Sequence, residues 1–148
     1  MIYLLDTSVI SALMRADAQM ATWLSSIGAD DRVAICTIAR GEILYGLERL
    51  APGRRRTELD RKARKLFAAV PCEAIPSAAG DVYANIKVSQ QRRGLPLDEN
   101  DLWMAATAVA LGAILVKRDR ASGWEAGQRL SAHRALQHPQ DPDGAVPA

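Results

Sequence analysis

Four carboxylates stand out for their positions. Asp6 ends the apolar run 2–5, and Glu42 interrupts the apolar stretch Gly41-Glu42-Ile43-Leu44. Asp101 opens an alanine-rich stretch, and Asp119 follows the apolar run 113–116 with Lys117 and Arg118 between. A cluster of carboxylates without His or Cys ligands selects a hard cation, Mg²⁺ or Mn²⁺. Such an ion holds a phosphate oxygen, lowers the pKa of bound water and offsets transition-state charge. The chemistry this suits is phosphodiester cleavage with no nucleophile from the protein. Each acid alone has a plainer use. Glu42 and Asp101 suit the positive N-terminal ends of helices, Asp6 suits a cap or turn, and Asp119 suits a surface pair with a neighbouring arginine.

The elements that must position them follow from pattern. Residues 2–5 read as a buried parallel strand. Thr7 or Ser8 is expected to cap a helix through Val9, Ile10 and Leu13. A second helix is expected over 18–27, a turn at Asp30-Asp31, and a strand over 33–36. Thr37 then caps a helix through Ile43, Leu44, Leu47 and Leu50, ended by Pro52-Gly53. A basic helix over 54–69 precedes a short strand at 72–75. Pro76-Ser77 opens a helix that ends near Gly94. Asn100 reads as the N-cap of a helix over 101–111, stopped by Gly112. Asp98 and Glu99 could each add a further carboxylate, but read as a solvated loop. Strand 113–116 follows. Strands alternating with helices imply an α/β fold with a mainly parallel sheet, whose ligands gather at the carboxyl ends of the strands.

A length of 148 residues suits one domain. Residues 137–148 are rich in Pro and Asp without apolar period and read as a disordered tail, leaving 1–136 as the domain. Setting four clustered negative charges aside from the net +2 leaves +6 elsewhere, which suits a polyanionic partner or an ordinary solvated surface. Cys36 and Cys72 have no CxxC spacing and read as buried free thiols of a reducing compartment. The opening residues lack the pattern of a signal peptide, and no apolar run approaches a membrane span. The protein is therefore expected in the cytoplasm.

Read together, Leu5-Asp6-Thr7-Ser8-Val9-Ile10, Gly41-Glu42-Ile43-Leu44-Tyr45-Gly46-Leu47, Gly94-Leu95-Pro96-Leu97 leading to Asp101-Leu102-Trp103-Met104-Ala105-Ala106-Thr107-Ala108, and Gly112-Ala113-Ile114-Leu115-Val116 with Asp119 resemble the successive motifs of PIN-domain proteins. The likeness is to toxins of the VapC and FitB type and spans about residues 1–120. The resemblance implies a three-layer α/β/α sandwich and a metal-dependent endoribonuclease. It also implies neutralisation by a small antitoxin and a homodimer. It sets Asp6, Glu42, Asp101 and Asp119 on the family's acidic positions, and Thr7 and Ser8 on its small polar ones. Where the family often has Thr or Ser before the last acid, this chain has Lys117-Arg118, and no strand is evident after residue 120.

Several residues have two uses. Arg54, Arg55 and Arg56, with Arg118, could track an RNA backbone, or the basic helix could simply be solvated. Trp23 reads as core, Trp103 as undecided and Trp124 as an exposed base-stacking candidate. His133 and His138 read as surface residues. Two rival functions remain. A binding module with this fold and no turnover would contact nucleic acid or an antitoxin. A phosphoacceptor receiver domain would need an acceptor Asp near residue 55, where the chain has Arg54-Arg55-Arg56.

Overall fold

The computed structural model describes residues 1–96 and 98–118 and the backbone of 132–133. In chain order it contains β1 (Ile2–Leu5), α1 (Thr7–Met14), α2 (Ala18–Ser25), β2 (Arg32–Cys36), α3 (Thr37–Glu48), α4 (Arg54–Ala69), β3 (Cys72–Glu73), α5 (Ala78–Arg92), α6 (Glu99–Ala110), β4 (Ile114–Val116) and β5 (Ala132–His133). The sheet runs β3-β2-β1-β4-β5. Its first four strands are parallel and β5 is antiparallel to β4. Helices flank it as a three-layer α/β/α fold. Among the described residues no helix is long and apolar enough to cross a membrane.

The central position of β1 explains its composition. A parallel strand covered on both faces has no polar side to offer, and Leu4 and Leu5 are fully buried. They pack with Ile10, Ile35, Met104 and Val116 in one core, each worth roughly 1.5–3 kcal/mol of burial. Trp23 packs against that core and meets Tyr3 edge-on, ring centroids 5.8 Å apart. Trp103 stacks on Tyr83 at 4.1 Å, which ties α6 to α5.

The helix starts differ from expectation. Asp6, not Thr7 or Ser8, caps α1. Cys36 is the N-cap position of α3 and makes no side-chain cap bond, while the Thr37 hydroxyl donates to the Glu73 carbonyl at 3.4 Å. Asp98, not Asn100, caps α6, and Glu99 begins that helix instead of lying in a loop. Lys87 donates to Glu99 Oε1 at 2.7 Å and the Tyr83 hydroxyl donates to Oε2. Gly112 ends α6 at φ 63°, a left-handed conformation natural to glycine.

Two further expectations are corrected. Cys36 is buried, and that burial pushes its thiol pKa up, but Cys72 is exposed because β3 is an edge strand of two residues. The strand not evident after residue 120 exists as β5. The expectations for Asp119, Trp124, His138, the His133 side chain and the tail 137–148 lie outside the described residues.

Candidate active site

β1 and β4 end side by side. The register sets Leu5 beside Val116, and the Asp6 N–H extends the ladder by donating to the Val116 carbonyl at 3.1 Å. This delivers Asp6 to the carboxyl edge of the sheet, where open α/β folds hold ligands. Asp6 Oδ1 accepts from the Val9 N–H at 3.0 Å and from Ser8 Oγ at 2.6 Å. The residue is only 7% exposed. Its Oδ2 takes no hydrogen bond among the described residues. No fully buried side-chain oxygen there lacks a partner, so Oδ2 opens to the surface.

The next residue reaches across to α3. Thr7 Oγ1 donates to Glu42 Oε1 at 2.8 Å. Glu42 sits in the second turn of α3, half-buried, with Oε2 unbonded among the described residues. Tyr45 lies three residues on, hence on the same helix face. It is 64% exposed, and the Arg49 guanidinium lies 5.5 Å from its ring centre.

Asp101 lies in the first turn of α6, where its N–H donates to Asp98 Oδ1 at 3.0 Å. Its carboxylate is exposed, and Oδ2 stands 3.7 Å from Lys117 Nζ. The segment after β4 is tied on its other side as well. The Arg118 N–H donates to Ser8 Oγ at 3.1 Å, and its guanidinium pairs with Asp17 at 3.1 Å. The structure thus gathers Asp6, Thr7, Ser8 and Glu42 and links Asp101 to the same edge through Lys117.

The donors suit a hard cation. All are carboxylate oxygens, and Asp6, Glu42 and Asp101 each have one oxygen engaged and one unbonded among the described residues. No three His, Cys, Asp or Glu groups among the described residues are close enough together to hold a metal by themselves. The basic residues divide. Arg54 and Arg55 are exposed at the start of α4 without partners among the described residues. Arg56 donates to the Leu50 carbonyl at 3.3 Å and to Glu48 at 3.0 Å.

Sequence reasoning did not single out Asp17 or Lys117 and missed the capping role of Asp98. Asp17 and Asp98 carry a legible signal, an acid just before a helical pattern. Lys117 was visible only as a departure from a motif; nothing local points from it to Asp101, 16 positions away.

The PIN domain profile matches residues 3–122. The chain is 30% identical over 127 residues to the VapC ribonuclease Y4jK of Sinorhizobium fredii, covering 78% of this chain and 85% of the relative. It is 31% identical over 122 residues to the ribonuclease VapC1 of Haemophilus influenzae, with the same coverage of 78% and 85%. Among solved structures it superposes on VapBC-1 from nontypeable Haemophilus influenzae with a TM-score of 0.71 at 26% identity, covering 80% of this chain and 87% of that one.

Proposed function

With residues 3–122 matched, the chain belongs to the PIN-domain family, and from that premise we propose that it is a metal-dependent endoribonuclease, the toxin of a toxin–antitoxin pair. Both curated relatives are VapC ribonucleases. The observation that carries the reading is the Thr7–Glu42 hydrogen bond. It joins the acid-bearing end of β1 to the acid on α3 and leaves one oxygen of each carboxylate open.

Asp6, Glu42, Asp101 and Asp119 would hold Mg²⁺ or Mn²⁺. Bound there, the cation supplies Lewis acidity toward an RNA phosphate oxygen and lowers the pKa of a water. The chain's own residues prepare the place. The Val116 carbonyl fixes the Asp6 backbone, Ser8 orients its carboxylate, and Thr7 holds Glu42 in one rotamer. Such fixed geometry matters because a misplacement of about 1 Å can cost on the order of a hundredfold in rate. Arg54, Arg55 and Arg118 contribute positive charge toward the RNA backbone, whereas Arg56 is taken up by Glu48 and the Leu50 carbonyl.

The partner is a small antitoxin, a reading supported by the likeness to the solved VapBC-1 structure. The toxin acts on RNA in the cytoplasm as a homodimer, with residues 1–136 as the nuclease domain. Purified protein freed of partner and incubated with total RNA tests the reading. Cleavage is expected with Mg²⁺ or Mn²⁺ and none in EDTA. RNA left intact by folded protein with either metal would overturn it.

A further inference from the structure

The cation that Asp101 already faces in this fold is Lys117. Its backbone is pinned on both sides: the preceding Val116 carbonyl accepts from Asp6, and the following Arg118 N–H donates to Ser8. The β1–β4 register sets Leu5 beside Val116, so Lys117 is level with Asp6 at the sheet edge. From there its ammonium reaches Asp101 Oδ2 at 3.7 Å, with its side chain 28% exposed. The neighbouring Arg118 guanidinium pairs with Asp17. Lysine, a compact charge on a flexible stem, can release a partner and swing away without disturbing its backbone.

We propose that Lys117 is the resident counter-cation of the acidic site, paired with Asp101 in the metal-free protein, and that a divalent cation must displace it to bind. The inference rests on the functional reading above only in taking Asp101 as a metal ligand. Two effects act in the same direction. The cation must break the Lys117–Asp101 pair, and it must then sit near a like charge. Lys117 therefore weakens metal binding while sparing the metal-free protein repulsion among its carboxylates.

Mn²⁺ is the probe, and the readouts are its binding isotherm by calorimetry and its effect on the melting temperature of the full chain without RNA. Lys117→Thr is expected to bind Mn²⁺ about two- to fivefold more tightly, the range given by losing an exposed ion pair. In EDTA the variant should melt no higher than wild type. Lys117→Arg, which keeps the positive charge, should bind Mn²⁺ no more tightly than wild type, a result that a loss of general packing would not give. Equal Mn²⁺ affinity in wild type and Lys117→Thr overturns the inference and leaves the metal reading standing. Absence of Mn²⁺ binding in all three folded proteins overturns both.

Discussion

Glu99 and the candidate-site carboxylates lie within one small protein, yet they are treated in opposite ways. Glu99 has both oxygens occupied, Oε1 by Lys87 and Oε2 by Tyr83. The Tyr83–Trp103 stack beside it completes a clamp between α5 and α6. Asp6, Glu42 and Asp101 each commit one oxygen and keep the other unbonded among the described residues. A carboxylate that closes both its oxygens holds helices together; one that closes a single oxygen is oriented and still able to bind. The same distinction sorts the arginines: Arg56 is engaged by Glu48 and Leu50, whereas Arg54 and Arg55 face solvent.

The largest effect should separate the two classes of acid outright. Asp101→Asn or Glu42→Gln is expected to lower RNA cleavage by about a hundredfold or more with the fold retained. Glu99→Gln should cleave within about twofold of wild type. Gel assays with circular dichroism on the same samples decide it, and an inactive, folded Glu99→Gln would dissolve the comparison. A smaller effect tests the double duty of Asp6. Asp6→Ala loses the cap of α1 and should be destabilised by about 1 kcal/mol, whereas Asp6→Asn keeps a capping oxygen and should not. Urea melts in EDTA read this directly, and equal losses in both variants would count against the cap.

The arginines give the next contrast. Removing Arg54 and Arg55 together should flatten the log–log salt dependence of RNA binding by up to about one unit per lost phosphate contact. Arg56→Ala should leave that slope unchanged and instead loosen the turn between α3 and α4. An unchanged slope for the double variant would assign Arg54 and Arg55 to a solvated face. The smallest effect is a pH dependence. The hydrogen bond from Lys87 holds the Glu99 carboxyl below the usual carboxylate range. A lowered folded-state pKa stabilises the protein above the unfolded pKa and loses that contribution as pH falls through the folded value. The melting-temperature gap between wild type and Glu99→Gln should therefore persist at neutral pH and close in acid. A gap that widens on acidification would contradict the clamp.

What the sequence made legible was whatever depended on burial. The apolar runs before Asp6 and Asp119 are strands because β1 and β4 lie within the sheet, and Glu42 was conspicuous for interrupting an apolar stretch. What stayed hidden depended on choices that packing makes between near-equals. In Asp98-Glu99-Asn100-Asp101 several side chains suit a cap. The burial of Leu102 and its bond to the Asp98 carbonyl at 3.0 Å favour Asp98. β3 and β5 are two residues each, too short to show a period, so the exposure of Cys72 was not readable. Lys117 and Asp101 meet only because β4 and the start of α6 reach the same edge, which no local pattern records.

The hydrogen bond from the Arg118 N–H to Ser8 spans 110 positions of chain. During synthesis at roughly 5–20 residues per second, β1 is made on the order of ten seconds before its β4 neighbour. Until then Asp6 has no Val116 carbonyl to fix it, and Ser8 has no Arg118 to receive. Long-range parallel pairing is also slow to form, because loop closure must precede the contacts that reward it. The sheet edge that carries Asp6 thus cannot be completed on a nascent chain that still lacks residue 118.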